Sequence, residues 1–238
     1  MSFIEGEILH INKPYGMSSF GALAFVRTRI SRKEGVKRVK TGHAGTLDPL
    51  ATGVLILCTG KCTKQIPNLQ YDSKEYTATL QFGATTASYD MEHEVNCTYP
   101  KDHITEDLIK EVLEQFKGDI MQVPPTFSAV HVDGKRAYEL ARKLGGDAAK
   151  LEGTEIPPKP VHIEDIELLW YDDEKKQAQI RVECGKGTYI RSLARDIGKA
   201  AGSGAYLTQL CRTRLGDVRI EDCIKLDDFE EWLENRKG

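Results

Sequence analysis

The 238-residue sequence lacks a membrane-spanning segment, a signal peptide and a recognisable metal-binding motif. No stretch approaches the ~20 apolar residues that a membrane-spanning helix needs. The N-terminal segment MSFIEGEILHINKPYG carries acidic residues and no apolar core of signal-peptide length. The six cysteines form no C-x-x-C pair, and neither they nor the six histidines stand at zinc-ligand spacing. We therefore expect a soluble, cytoplasmic protein without a metal, whose cysteines are reduced and mostly buried.

Glycine patterns for nucleotide binding are also incomplete. The segment Gly53–Cys62 contains Gly-Lys near its end, but Leu55 stands where a phosphate loop has its first glycine. Cys62 stands where that loop has Ser or Thr. The segment Gly202–Gly204 lacks the third glycine of a dinucleotide fingerprint. The glycine patterns thus support neither NTP nor NAD use.

Positive charge is concentrated in two segments, although the net charge is −3. Seven Lys or Arg residues lie in Arg27–Lys40 against Glu34 alone, and six lie in Cys184–Arg214 against Asp196 alone. If the fold joins the two segments, they form a positive face that can bind RNA phosphates. On charge alone, two solvated helix faces are the simpler interpretation.

Hydrophobic periodicity indicates strands that alternate with single helices. Five strands are expected, at Glu7–Asn12, Val54–Cys58, Tyr76–Phe82, Phe127–Val132 and 178–184. Five helices are expected: one capped by Ser18 or Ser19, one capped by Thr105, one over Arg136–Leu144, one through Ile190 and one around Trp232. This pattern predicts an α+β fold, with a mixed, mainly antiparallel central sheet and flanking helices in a single domain over residues 1–238. A segment at about 124–153 is expected to be an insertion.

The most informative segment is the glycine-rich run Gly42–Gly53, GHAGTLDPLATG. Its glycines permit close approach of the backbone, and Pro49 restricts Asp48 to extended geometry. One carboxylate is thus held stiffly just before a buried strand. From the residues alone, an Asp-Pro turn in which Asp48 caps backbone amides is the commoner alternative.

The sequence GHAGTLDPLATGVL resembles the catalytic motif of the TruB-type tRNA pseudouridine-55 synthases. Four further blocks occur in the order of that family, and together the five cover about residues 7–216. These are Lys13–Ser19, Lys74–Tyr76, Val123–Ala129 with its continuation Gly134–Arg142, and Lys186–Leu193. The resemblance implies conversion of uridine 55 in the tRNA T loop to pseudouridine, without a cofactor, after the base has flipped into a pocket.

The resemblance also assigns catalytic residues. Asp48 is implied as the essential carboxylate, and Arg191 as the cation that keeps it ionised and aimed. Tyr76 matches the tyrosine that stacks on the target base and takes part in proton transfer. Without the neighbouring motifs, Arg191 would be a phosphate-facing helix residue and Tyr76 an ordinary strand aromatic.

Four more residues are implied to bind the substrate. His43 matches the histidine that holds the substrate loop open where the base has left. Tyr189 and Leu210 match residues that line the uracil pocket, and Lys13 lies in the block that supports the catalytic loop. Core packing is the alternative for Tyr189 and Leu210. The insertion resembles an RNA-gripping arm, whose basic residues are implied to hold phosphates of the stem-loop: Lys135, Arg136, Arg142 and Lys143.

Many family members, and their guide-RNA-dependent relatives, carry a C-terminal RNA-binding (PUA) domain. The sequence continues for only about 22 residues past the core block that ends at Gly216, so no such domain is expected. We expect a monomeric tRNA enzyme without an obligatory protein partner and without membrane contact. The alternatives are a non-catalytic RNA-binding protein and a catalytic subunit that acts on rRNA under guide RNAs.

Overall fold

The computed structural model describes residues 2–69, 71, 73–125 and 156–236, and the backbone of His131–Val132 and Lys135–Arg136. The chain forms two compact units. Unit 1 comprises Met1–Tyr76 and Leu210–Gly238, and unit 2 comprises Thr77–Gln209. Most of the predicted RNA-gripping arm lies outside the described residues, so the expected domain layout stays a prediction.

Unit 1 is built on β3, the most buried strand of this unit. Its elements are β1 (Ile8–Lys13), α1 (Ser19–Lys33), β2 (Thr41–Ala44), β3 (Ala51–Thr59), a 3-10 helix (Gly60–Leu69), the end of β12 (Ala205–Leu215), β13 (Val218–Arg219), β14 (Ile224–Lys225) and α4 (Phe229–Asn235). The apolar run Val54–Cys58 at the centre of β3 is buried on both faces, as predicted. β3 pairs antiparallel with β1 and β2 and parallel with β12, while β14 pairs parallel with β1.

The two neighbours on one edge of β3 determine where the glycine-rich loop runs. β2 pairs with the second half of β3, from Ala44 opposite Ile56. β12 pairs with the first three residues, from Leu210 opposite Ala51 to Arg212 opposite Gly53. The segment 45–50 therefore leaves the end of β2 and returns beside β12. This places the loop that contains Asp48 beside β12.

The described part of unit 2 contains the remaining strands and two helices. Its elements are β4 (Lys74–Phe82, which enters from unit 1), β5 (Ala84–Thr86), β6 (Val95–Thr98), α2 (Glu106–Glu114), β7 (Gly118–Gln122), β8 (His131–Val132), β9 (Lys135–Arg136), β10 (Lys159–Asp172), β11 (Gln177–Cys184) and α3 (Ile190–Ala200). The sheet order here is β12-β4-β11-β10-β7. β11 alternates strictly between half-exposed and buried residues, which confirms the expected amphipathic strand. α2 packs against β10 and α3.

The α+β class with a mixed, mainly antiparallel sheet and flanking helices is confirmed. The N-cap of α1 is Ser18, whose side chain accepts the N–H of Gly21, and Thr105 caps α2 in the same way. No described helix has both the length and the apolar character that crossing a bilayer requires.

Two expectations need correction. All six cysteines are free thiols, as expected, but only Cys58 and Cys184 are buried. The long strands β10 and β12 were not predicted. In β12 the sequence AYLTQLCRTRL reads as a basic segment, yet Arg212 within it is 1% exposed. Arg191, also counted with the basic face, is 5% exposed.

Gly53→Ala should destabilise the protein severely. A Cβ at this position would lie 2.2 Å from the Arg212 carbonyl oxygen, and φ is +102°, so backbone must move and remain strained. We expect the free energy of unfolding to fall by more than about 3 kcal/mol. Gly35→Ala is the matched control, because Gly35 has φ +66° and open space around it. It should cost only about 1–2 kcal/mol in urea unfolding. Equal losses in the two variants would contradict the close approach of β3 and β12.

Candidate active site

The residues implied by the resemblance divide between the two units. Unit 1 contains five of them: Lys13, His43, Asp48, Tyr76 and Leu210. Unit 2 contains Tyr189 and Arg191. The four basic arm residues, Lys135, Arg136, Arg142 and Lys143, lie where the structure describes no side chain.

Asp48 follows a residue, Leu47, whose backbone is held in place by hydrogen bonds. Leu47 is buried, and its backbone makes two hydrogen bonds with one hydroxyl. Ser19 Oγ accepts the Leu47 N–H at 2.8 Å and donates to the Leu47 carbonyl at 2.9 Å. The Asp48 carbonyl then accepts the Ala51 N–H at 3.1 Å, which closes a turn through Pro49. The partly exposed Asp48 side chain thus starts from a backbone with little freedom.

Lys13 fastens the loop on the other side of Asp48. Its side chain is fully buried, and Nζ donates to the carbonyl oxygens of Pro14 at 2.9 Å, Met17 at 2.6 Å and Pro49 at 3.2 Å. Three acceptors match the three donors of an ammonium group. Lys13 therefore joins the Lys13–Ser19 block to the Asp48 loop, in agreement with a supporting position.

The pKa of Lys13 is lowered to about 8, mainly by burial; the negative charge of Asp48 opposes this decrease and the positive charge of Arg212 adds to it. The desolvation of the ammonium outweighs the attraction of a single carboxylate. Lys13 is therefore charged at neutral pH and loses its proton within a range that enzyme assays reach.

Arg212 is a third tie to the same loop, and it was not singled out from the sequence. Its Nε donates to the Val54 carbonyl at 2.8 Å and one terminal nitrogen donates to the Gly45 carbonyl at 2.9 Å. The guanidinium is buried, so these backbone bonds replace water. The feature that could have identified Arg212 is its position opposite Gly53 of β3. The sequence alone does not show this pairing of strands.

His43 lies in β2, opposite Leu57 of β3. Burial, together with the positive charge of Arg212, lowers the pKa of His43, so the imidazole is neutral at pH 7. Its buried Nδ1 has no hydrogen-bond partner among the residues that the structure describes. A neutral ring is suited to occupy the place of a displaced base without the cost of a buried charge.

Leu210 and Tyr76 are the apolar members of unit 1. Leu210 lies opposite Ala51, three residues after Asp48, and its carbonyl accepts the Thr52 hydroxyl at 3.4 Å. The structure thus brings Leu210 next to the Asp48 loop. Tyr76, on β4, is 7% exposed, which fits a pocket wall and equally fits core packing.

Arg191 has a carboxylate partner inside unit 2 that was not anticipated. Its Nε lies 3.7 Å from Asp90 Oδ2, and a terminal nitrogen donates to the Ser88 carbonyl at 3.2 Å. Asp90 Oδ1 accepts the Ser88 hydroxyl and the Glu92 N–H. The arginine and Asp90 are both almost fully buried, so the ion pair is shielded from water. The pairing of Arg191 with Asp48 stays a prediction.

Tyr189 immediately precedes α3 and is its N-cap residue. Its N–H donates to the side-chain oxygen of the buried Gln122 at 2.8 Å, which fixes the start of the helix. Among the described residues, no group of three or more His, Cys, Asp or Glu side chains is placed to hold a metal ion.

Comparisons with known proteins agree over the whole chain. Residues 32–190 match the model of the TruB family pseudouridylate synthase N-terminal domain, and residues 191–237 match that of the tRNA pseudouridylate synthase B C-terminal domain. The chain is 57% identical over 239 residues to tRNA pseudouridine synthase B of Bacteroides thetaiotaomicron, covering 100% of this chain and 97% of the relative. It is 48% identical to the protein of that name from Flavobacterium johnsoniae, covering 98% of each.

Among solved structures, a chain of a Cbf5-Nop10-Gar1 complex superposes with a TM-score of 0.68 at 27% identity. The match covers 100% of this chain and 58% of that one, so this chain spans little more than half the length of that structural relative. Family models, full-length relatives and fold agree, and the chain belongs to the TruB family of pseudouridylate synthases, enzymes that convert uridine in tRNA to pseudouridine.

Proposed function

We propose that this chain isomerises uridine 55 in the T loop of tRNA, with Asp48 as the essential carboxylate. The observation that carries the proposal is the fixed backbone on both sides of Asp48, with Leu47 bonded to Ser19 and Pro49 bonded to Lys13. A carboxylate acts on a sugar or a base only when it is held within bonding reach. The family membership supplies the reaction that such a carboxylate would serve.

The reaction breaks the bond between N1 and C1′ and joins C5 to C1′. The proton on C5 leaves, N1 gains one, and no electron is lost or gained overall. One carboxylate serves by attack at C1′, by attack at C6 or by promoting a glycal intermediate. All three paths place Asp48 beside the sugar and base of the same nucleotide.

The other residues have roles that follow from their chemistry. Stacking on Tyr76 is worth ~1–3 kcal/mol, which offsets part of the few kcal/mol needed to unstack the target base. Arg191, held by Asp90 and Ser88, supplies the positive charge that keeps Asp48 ionised. The neutral His43 helps to hold the substrate loop open where the base has left, while Tyr189 and Leu210 line the uracil pocket.

The substrate and the setting are part of the proposal. We infer a monomeric, cytoplasmic enzyme that grips the T stem-loop with its basic arm and needs no protein partner. Support comes from the relatives named tRNA pseudouridine synthase B, which align over 97–98% of their own length. A subunit of a larger assembly is the second candidate, because the structural relative was crystallised within a Cbf5-Nop10-Gar1 complex. Isomerisation of naked tRNA transcript by the purified protein would separate the two.

Asp48→Asn should abolish isomerisation while most tRNA affinity remains. The change removes the charge and the nucleophilic oxygen but keeps the shape, so we expect a loss of at least roughly a thousandfold in kcat. Tritium release from tRNA labelled at C5 of uridine measures the rate, and a filter assay measures binding. The control is Asp217→Asn, an exposed acid of the same unit, which should behave as wild type. Failure of the wild-type protein to convert any RNA would favour the non-catalytic RNA-binding alternative.

Activity should decline on the alkaline side with a midpoint near pH 8. Below that value Lys13 is charged and satisfies three carbonyls; above it the neutral amine has only two N–H donors and the tie to the Asp48 loop weakens. A profile of kcat against pH from 6 to 10 measures the midpoint. Lys13→Met should be impaired at every pH and should lack this limb, because it has no proton to lose there. An unchanged alkaline limb in Lys13→Met would assign the decline to another group.

A further inference from the structure

Tyr15 and Phe20 are the two most exposed aromatic side chains among the residues that the structure describes. Tyr15 is 57% exposed and Phe20 is 62% exposed, and both belong to unit 1. Single exposed apolar side chains are ordinary on a protein surface. The position of these two is unusual, because they flank the segment 16–19, which is hydrogen-bonded to the Asp48 loop.

Each of the two aromatics adjoins a residue that is bonded to the Asp48 loop. Tyr15 precedes Gly16, whose N–H donates to the Pro49 carbonyl at 3.0 Å. Phe20 follows Ser19, whose hydroxyl makes both hydrogen bonds to Leu47. Since neighbouring Cα atoms are ~3.8 Å apart, both rings are anchored within one residue of contacts on either side of Asp48.

Positive charge lies beside one of the two rings. The guanidinium of Arg27 lies over the Phe20 ring, 5.8 Å from its centroid, because the two residues occupy the same face of α1. Three further exposed cations, Lys37, Arg38 and Lys40, follow the other end of α1, where the Val39 N–H donates to the Ser31 hydroxyl. Solvent-facing aromatics beside cations are the combination with which proteins hold unpaired nucleotides, since rings stack on bases and cations bind phosphates.

We propose that Tyr15 and Phe20 stack on unpaired bases of the substrate RNA that flank the target uridine. The inference rests on the proposed function for its substrate, but it concerns different nucleotides from the one that Tyr76 would contact. The pair would thereby hold the loop open beside the catalytic carboxylate. Because stacking needs only a ring face, the contact would be tolerant of base identity and would depend on a base being present.

The test uses an RNA hairpin with the T stem and loop, and a series in which each loop nucleotide except the target is replaced in turn by an abasic ribose. Tyr15→Ala and Phe20→Ala should each raise KM about tenfold with kcat changed less than twofold. Tyr15→Phe and Phe20→Tyr should restore KM, because they keep the ring. Trp170→Ala, which removes an exposed aromatic of unit 2, is the matched control and should leave KM unchanged.

The abasic series identifies a stacking contact. Each Ala variant should lose its penalty on the hairpin that lacks its stacked base and keep it on the others. Ala variants that act on every hairpin as wild type does would overturn the proposal, and so would a penalty that is equal on all abasic hairpins. So would Ala variants that only weaken self-association in sedimentation, which would mark the pair as a contact with a second copy.

A measurement of hairpin binding tests the stacking role independently of isomerisation. Fluorescence anisotropy with the Asp48→Asn protein measures affinity without chemistry. If the wild type binds the hairpin but does not isomerise it, the proposed function fails while the Ala variants still decide the stacking role. If the Ala substitutions leave this affinity unchanged, the stacking role fails while isomerisation stands.

Discussion

Two buried cations determine the shape of the loop that presents Asp48. Lys13 and Arg212 are 0% and 1% exposed, and every hydrogen bond described for them ends on a backbone carbonyl. Removing such a charge from water costs several kcal/mol, so the cations are stable only where several oxygens face them. The loop must therefore keep its carbonyls turned inward. The same two charges leave a positive potential beside the one carboxylate in the loop.

The close pairing of β3 with β12 makes this arrangement possible. Arg212 reaches Gly45 only because its own backbone passes against Gly53, where even a methyl group would collide with the Arg212 carbonyl. Gly53 is thus needed for the close approach of the two strands, and this approach is needed for Arg212 to reach the loop. A change at either end of this contact would act on Asp48 without touching it.

Local patterns predicted the parts of the fold that are stabilised locally. α1 was predicted with its cap, β3 as a buried apolar run and β11 as an alternating strand, because each pattern depends on neighbours in sequence. β12 was missed, since its burial depends on partners more than a hundred residues away. Arg212 was interpreted as a surface cation for the same reason, because the residues that bury it are distant in sequence. At the candidate site the resemblance singled out Asp48, whose role stays a prediction, whereas Asp90 has no local signature and its contact with Arg191 required the structure.

The ion pair in unit 2 shows how an arginine can be aimed before the substrate arrives. Asp90 Oδ1 is engaged by the Ser88 hydroxyl and the Glu92 N–H, so its other oxygen faces the Arg191 Nε. The Ser88 carbonyl fixes a second point of the guanidinium plane. Two contacts from within unit 2 thus hold the guanidinium before any substrate binds. If Arg191 stabilises Asp48 as proposed, a cation that folding has already oriented would require little reorganisation during the reaction.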